Sequence, residues 1–428
     1  MYSRTLTPVT VPARRVSNRV SDRVWTWSGL LITLALSLGT LWLFTGMRFL
    51  SMIQTGWIMI IGSIIAFIAS SVLLDRTLRY PGRRSSLVTI PIALFPILIL
   101  VAFIAFTRTY YSRPYLIVQA LATISWAFTR YQVMRRPQAR TLAVLPFGDT
   151  SLMQGISELR LFTLKKPRLY NASFDGVVAD LHAEIPPEWA AFLADCVMQQ
   201  IRVYHVASIG ESLTGRVSLQ HLAAMHVDSL RPPPWFNPVK RTLDVLVVLL
   251  TSPLTIPIGC LTAIAVRIDS PGKSLYQQIR VGAQGREFTL FKFRSMRVDA
   301  EAKGAQFTEQ QDPRITRIGH FLRKTRLDEL PQLWNVFKGD MSLVGPRPER
   351  PVFVEEYDRS IEHYQLRHLV RPGLTGWAQI EAGYSSDTAG TVRKLERDFY
   401  YIKYRSLALD TFIIYRTIRT VCSGSGAR

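Results

Sequence analysis

The stretch KRTLDVLVVLLTSPLTIPIGCLTAIAVRIDSPGK, Lys240–Lys273, decides how this chain is built. Its apolar run, Leu243–Val266, is about long enough to span a bilayer, where ~20 apolar residues cover ~30 Å of hydrocarbon. The flanking charges argue against crossing. Lys240 and Arg241 precede the run, Arg267 and Lys273 follow it, and basic flanks stay on the cytoplasmic side. Ser252-Pro253 stands near the middle, with Pro257 four residues on. Proline removes a helical hydrogen bond and clashes with the preceding turn. The expected element is therefore a re-entrant helix hairpin, residues 236–268, that breaks at Ser252-Pro253 and returns to the face it left. The Ser252 hydroxyl is available to the backbone freed there. A proline-kinked full span is the alternative.

Working outward, four upstream runs read as transmembrane helices: 28–47, 57–74, 87–106 and 114–128, the last being the shortest. The tail, 1–27, carries Arg4, Arg14, Arg15, Arg19 and Arg23, and the first loop only Arg48. Arg76, Arg79, Arg83 and Arg84 mark the second loop, Arg108 and Arg113 the third, and Arg130, Arg135, Arg136 and Arg140 follow the last span. This alternation places the tail and everything after Arg130 in the cytoplasm. The polar leader is long and lacks a small-residue cleavage site, so a cleaved signal peptide is not expected.

The 428 residues hold 52 Lys+Arg against 31 Asp+Glu, a net charge of +21, while 48% of the chain is hydrophobic. Such an excess suits nucleic acid, anionic lipid or a phosphorylated substrate. Nucleic acid is disfavoured, because the basic stretches carry no interleaved aromatic platforms. Cys196, Cys260 and Cys422 stand singly, which excludes a disulfide framework and a Cys-rich zinc site.

Residues 141–230 read as a small α/β domain. TLAVLPF (141–147), FDGVVADL (174–181) and RVYHVASI (202–209) have strand length, and PPEWAAFLADCVMQQI (186–201) has helical spacing. The turn Phe147-Gly148-Asp149-Thr150 lacks the glycine-rich loop that admits a pyrophosphate, so this degenerate Rossmann-like layer is expected to be structural or dimerising.

Chemistry concentrates in residues 269–420, which contain KFRSM (292–296), DPRITRIG (312–319), LRKTRLDELPQLWNVFKGDMSLVGPRPERP (322–351) and RPGLTGWAQ (371–379). Leu327, Leu330, Leu333 and Trp334 form a helical stripe beside Asp328 and Glu329. Adjacent helical residues do not face each other, so these carboxylates are either a solvated acidic pair or two groups reaching one cation with its phosphate ligands. Arg317, Arg323, Lys324, Arg326, Arg347 and Arg350 surround them in sequence. Guanidinium forks match phosphate oxygens, and Pro346 and Pro348 restrict the backbone that aims Arg347. Carboxylates, Mg²⁺ and arginines are the parts of phosphoryl-transfer sites, and Asp is also a nucleophile toward phosphorus.

Residues 236–420 resemble the bacterial sugar transferases, the polyprenyl-phosphate hexose-1-phosphate transferases also called monotopic phosphoglycosyl transferases. KRTLD, the Ser252-Pro253 break, KFRSM, the block from Leu327 to Pro351, RPGLTGWAQ and KLERDFYYIKYRSLALD (394–410) carry the resemblance. With its preceding spans and α/β domain, the chain is similar to long-form members that begin exopolysaccharide, capsule or O-antigen units. The implied fold is an integral membrane, helical protein with a mainly helical α+β catalytic domain anchored by the hairpin. It implies a multi-pass protein of the bacterial inner membrane with its catalytic domain in the cytoplasm. The implied reaction moves sugar-1-phosphate from a UDP-sugar to undecaprenyl phosphate and releases UMP. By this likeness Asp328 is the nucleophile, Glu329 its partner, and both hold Mg²⁺. Arg347, between Pro346 and Pro348, is expected to contact substrate phosphate, with Lys292, Arg294, Arg314 and Arg317 lining the same basic surface. Lys240, Arg241 and Asp244 are expected to clamp the hairpin base. A homodimer contact is expected in the middle domain and a disordered tail at 421–428. Where many members carry an Asn-Gly-Arg-like sequence after GWAQ, this chain has Ile380-Glu381-Ala382-Gly383-Tyr384, so no substrate contact is carried onto that loop. The competing readings are a glycosyltransferase releasing UDP and a non-catalytic adaptor with a lipid-binding basic surface.

Overall fold

The computed structural model describes residues 19–77, 89–134, 140–148, 159–169, 174–219, 230–298, 300, 312–381 and 388–423. The chain forms two compact units, Met1–Gly215 and Arg216–Arg428.

The first unit begins with helices α1 (Arg19–Thr45), α2 (Phe49–Thr55), α3 (Trp57–Thr77), α4 (Thr89–Thr107) and α5 (Arg113–Met134). Helix α1 lies on α5, α5 on α4, and α4 on α3. Leu41, Met59, Ile97, Leu100 and Tyr115 fill the interior, while Leu31, Leu43, Ile65, Leu98 and Phe103 face outward. An apolar exterior is what a lipid-facing bundle requires. Val24–Thr55, Trp57–Thr77 and Thr89–Thr107 are long and apolar enough to cross a membrane. The expected fourth span forms α5, but α5 does not share that apolarity: Gln119, Thr123 and Arg130 are buried against its neighbours. Ser37 donates to Gln119 at 2.7 Å. Arg130, 1% exposed, meets Asp75 at 2.8 Å and donates to Thr26 and Ser71. Polar side chains inside such a bundle persist when they find partners there. Arg4, Arg14, Arg15, Arg79, Arg83, Arg84, Arg135 and Arg136 of the charge alternation lie outside the described residues.

The same unit holds a four-stranded parallel sheet in the order β2-β1-β3-β4, from β1 (Arg140–Val144), β2 (Leu159–Thr163), β3 (Gly176–Ala179) and β4 (Val203–His205). The period-two alternation sends Ala143 and Val177 toward α6 (Pro187–Met198), and Leu142, Val144 and Val178 toward α7 (Val206–Thr214). Strand β2 was not among the expected strands. The expected strand 202–209 ends at His205, whose Nδ1 accepts from the Ala207 N–H at 2.9 Å and caps α7. Asp149 and Thr150 of the turn after β1 lie outside the described residues.

The second unit opens with α8 (Phe236–Asp269), which runs unbroken through Pro253 and Pro257. The expected break into two helices is thus absent as an interruption of helix. Pro253 leaves the Leu249 carbonyl without its helical donor, and the Ser252 hydroxyl donates to that carbonyl at 2.7 Å. Both ends of α8 are fastened to the same unit. At its start Lys240 meets Asp410 at 2.5 Å, Arg241 donates to the Val336 and Phe337 carbonyls, and Ser342 donates to Asp244 at 2.7 Å. At its end Val266 packs with Phe293 and Leu322, and Asp269 accepts from the Ile318 N–H. Between these anchors Leu249, Leu250, Leu254, Ile256, Leu261 and Ile264 are exposed.

Beyond α8 come the antiparallel hairpin β5 (Leu275–Val281) and β6 (Glu287–Phe293), then α9 (Arg317–Thr325) and α10 (Gln332–Lys338). Strand β7 (Ser342–Val344) pairs in parallel with β8 (Gly373–Thr375), with α11 (Pro351–Ser360) between them. A Cβ on Gly373 would lie 2.0 Å from the Gly345 nitrogen, so this close backbone approach needs glycine. Helices α12 (Trp377–Glu381), α13 (Thr388–Tyr404) and α14 (Leu407–Ser423) close the unit around Trp377, Tyr400 and Phe412. Of the expected disordered tail, residues 421–423 are helical and 424–428 lie outside the described residues.

Candidate active site

Helix α9 ends where Arg326 takes a left-handed conformation, φ 55°. That reversal launches a single 3₁₀ turn, Leu327–Glu329, and Pro331 then caps α10. The apolar stripe divides here. Leu327 and Leu330 pack against the cluster of Val266, Phe293 and Leu322, whereas Trp334 is exposed and stacks on Phe337. The buried leucines hold the turn down, and Asp328 and Glu329 project from it half-buried.

Cations from three elements converge on these carboxylates. Arg347 Nη2 lies 3.3 Å from Glu329 Oε1, and Arg326 Nη1 lies 3.7 Å from Oε2. Lys292 on β6 and Arg323 on α9 act on Asp328 electrostatically. Burial tends to raise Glu329, but Arg347, Lys292 and Arg326 outweigh it and hold its carboxyl below the usual range. Asp328 goes the other way: burial, then the Glu329 charge, push it up to about 6 despite Lys292, Arg323 and Arg347. Burial also pushes Lys292 down to about 8, with Arg347 and Arg280 adding to the effect. The two adjacent carboxylates are thus held differently, Glu329 by ion pairs and Asp328 by burial beside a like charge.

Not every residue expected on this surface points to it. Arg294 donates to the Ser270 carbonyl and hydroxyl and to the Pro271 carbonyl, covering the end of α8. Arg314 grips Asp312 at 2.6 Å and reaches the Ala300 carbonyl, which holds Asp312 down to about 2. Arg317 is exposed at the start of α9. Lys240, Arg241 and Asp244 fasten the base of α8, and Ser252 and Pro253 lie along it, as described above. Pro346 and Pro348 are buried on either side of Arg347. Two residues were missed in the sequence, Arg280 and Arg367, both of which hold the backbone around Arg347. Their only signal was indirect: Pro346, Pro348 and Pro351 leave that turn short of its own N–H donors. Ala382, Gly383 and Tyr384 of the divergent loop lie outside the described residues.

A cavity of ≈ 460 Å³ lies against the base of α8 between Lys240, Asp244, Ser342, Arg371 and Tyr401, and is lined by neither Asp328 nor Glu329. Lys292, Arg280, Gln332, Arg347 and Pro348 line a far smaller recess. Arg347 and Lys292, which act on the two carboxylates, thus share this recess, and such cations suit a substrate with charged phosphates.

Residues 235–424 match the family described as bacterial sugar transferase. Over 368 residues the chain is 43% identical to the UDP-N-acetylgalactosamine-undecaprenyl-phosphate N-acetylgalactosaminephosphotransferase of Aeromonas hydrophila, covering 86% of this chain and 87% of that one. It is 43% identical over 184 residues to the UDP-glucose:undecaprenyl-phosphate glucose-1-phosphate transferase of Escherichia coli K12, covering 42% of this chain and 39% of the relative. A putative undecaprenyl-phosphate N-acetylgalactosaminyl 1-phosphate transferase of Bacillus subtilis is 48% identical over 129 residues, 30% of this chain and 72% of its own. The match over 86% of this chain and 87% of the relative places this chain in the bacterial sugar transferase family.

Proposed function

We propose that this protein transfers sugar-1-phosphate from a UDP-sugar to undecaprenyl phosphate, through a phosphosugar carried on Asp328. The observation that carries this reading is the division of labour in the Asp328-Glu329 pair. Glu329 takes the ion pairs with Arg347 and Arg326. Asp328 is poorly solvated and pushed up to about 6, ionised at neutral pH yet weakly stabilised, as a nucleophile should be.

In the first half-reaction an Asp328 oxygen attacks the phosphorus that bears the sugar. The bond from that phosphorus to the bridging oxygen breaks, and UMP leaves with the electron pair. In the second, an oxygen of undecaprenyl phosphate attacks the same phosphorus, the bond to Asp328 breaks, and the free carboxylate returns. Arg347 and Lys292 neutralise charge on the phosphoryl oxygens in both steps. Among the described residues no three His, Cys, Asp or Glu side chains form a metal cluster. Two carboxylates nonetheless fit Mg²⁺, which takes one or two from protein and completes its shell with phosphate and water. Asp328 and Glu329 would hold it, and it would supply further charge neutralisation to the diphosphate.

Helix α8 brings this site to its lipid. A crossing helix would put its ends on opposite sides of ~30 Å of hydrocarbon. Both ends of α8 are bonded to one unit, and Leu249, Leu250, Leu254, Ile256, Leu261 and Ile264 between those anchors are exposed. That supports a helix that dips into one leaflet, bends at Pro253 and Pro257, and returns, with the catalytic unit on the cytoplasmic face of the inner membrane. The product would be the first lipid-linked sugar of an exopolysaccharide, capsule or O-antigen unit.

The test is nucleotide release by purified protein in detergent with Mg²⁺, undecaprenyl phosphate and a panel of UDP-sugars, beginning with UDP-N-acetylgalactosamine. UMP that disappears in Asp328→Asn is the expected result. UDP in its place would mean glycosyl transfer, and neither nucleotide from any donor would leave the adaptor reading.

A further inference from the structure

The turn that carries Arg347 is held in an unusual way. Prolines at 346, 348 and 351 deprive it of N–H donors, so it cannot build its own ladder. Its carbonyls nevertheless all find donors, one after another. Pro346 accepts from the Gly373 N–H at 2.8 Å, Arg347 from the Arg367 guanidinium at 2.9 Å, Pro348 from Arg280 at 2.9 Å, and Glu349 from the Val281 N–H at 3.0 Å.

Two of these donors are backbone and follow from the fold. The other two are arginine side chains, and Arg367 is the more deeply placed. It is 7% exposed, donates to the Tyr364 hydroxyl at 2.6 Å and to Asp398 at 3.1 Å, and lies over the Tyr364 ring. Asp398, from α13, is itself 4% exposed. A buried ion pair is a poor way to stabilise a fold, since a well-packed apolar pair of similar volume does as well or better. What the pair supplies is direction, because a guanidinium can bond a carboxylate, a hydroxyl and a carbonyl at fixed angles simultaneously.

We propose that Arg367, held by Asp398, is a positioning residue for the transferase site: it fixes the main chain of Arg347 so that the Arg347 guanidinium meets Glu329 and the substrate phosphate. This rests on the proposed function, and the bonds of Arg367 go to Tyr364, Asp398 and the Arg347 carbonyl and not to Asp328 or Glu329. Its influence passes through one peptide carbonyl, so it should vanish when Arg347 has no side chain to aim.

The experiment is a double-mutant cycle on the full-length protein in detergent, reading kcat and KM for UMP release from the UDP-sugar. Arg367→Gln is expected to lower kcat/KM by about 10–100-fold, the scale of an ångström-level misplacement. In an Arg347→Ala background the same change should cost less than about threefold, the two substitutions being coupled. Equal losses in both backgrounds would overturn the proposal, because a general structural role acts whether or not Arg347 is present. Asp398→Asn, which keeps the side-chain volume, supplies a second cycle if Arg367→Gln melts too low to assay, and the same loss of effect is expected. Should the wild-type protein release no UMP from any donor, the functional reading fails on its own. The cycle is then read on UDP affinity by calorimetry, where additive losses again refute positioning.

Discussion

Replacing Asp328 by Asn should make the protein more stable while abolishing its chemistry. The carboxyl of Asp328 rises from 3.8 to about 6 in the folded chain, first through burial and then through the neighbouring Glu329 charge. Two units at ~1.36 kcal/mol each amount to roughly 3 kcal/mol. Asp328 is half-buried, so water screens part of this and the figure is an upper limit. The sign follows from the raised value. Folding favours the protonated carboxyl, so its contribution is intact below pH 4, is lost as pH climbs toward 6, and stays lost above 7. Asparagine cannot ionise and loses nothing. The variant should therefore melt higher than wild type at pH 7.5, by up to about 2–4 °C per kcal/mol for a unit of this size. The gap should shrink to roughly half at pH 5 and close near pH 4. Melting is to be followed by intrinsic fluorescence in detergent with EDTA, because a divalent cation would favour the ionised carboxylate. A gap of zero, or one that is the same at pH 4.5 and 7.5, would refute the claim that burial and the Glu329 charge disfavour the ionised Asp328.

Three further outcomes follow from the same geometry. Lys292, pushed down to about 8, loses its charge as pH rises through that value, so kcat/KM should fall above pH 8. Lys292→Arg keeps its charge and should flatten that limb, whereas an unchanged limb would assign the titration elsewhere. Arg294→Ala should leave kcat/KM within about threefold and lower the melting temperature, each lost hydrogen bond to Ser270 and Pro271 being worth about 1 kcal/mol. A hundredfold loss of turnover would return Arg294 to the substrate surface. Lys240→Ala strips Asp410 of its cation, with the two side chains 14% and 10% exposed, and should cost about 3–5 kcal/mol, seen as lower melting and faster trypsin cleavage. The paired change Lys240→Met with Asp410→Asn should recover part of it, and failure to do so would mean the pair acts through something other than its charges.

The long-range contacts explain where sequence reading stopped. Asp328, Glu329 and Arg347 were legible because they sit in one short, chemically dense block, and the structure brings Arg347 to Glu329. Arg294 and Arg314 belong to the same basic surface by composition alone; Arg294 bonds the end of α8 and Arg314 a local aspartate. Nothing local tells an arginine that binds phosphate from one that covers a helix end. The run Val206–Ile209 reads as strand by its apolar residues, yet it is helical because His205 caps it and its apolar face meets the sheet. Strand β2, LRLFT, carries an arginine between its apolar residues and escaped the reading; it is an edge strand, where such a residue is tolerated.

What sequence alone determined was chemistry and period: apolar runs of spanning length, prolines in the midst of one of them, an acidic pair, and arginines beside it. These depend on residue type and on spacing along the chain, which neighbours cannot alter. Tertiary structure decided which charges meet. It tied both ends of α8 to one unit, through Lys240 with Asp410 at the start and Asp269 with the Ile318 N–H at the end. It also placed Arg280 and Arg367 on the backbone of Arg347. Their donor-to-acceptor bonds join positions 68 and 20 residues apart, and only the folded path of the chain sets such distances.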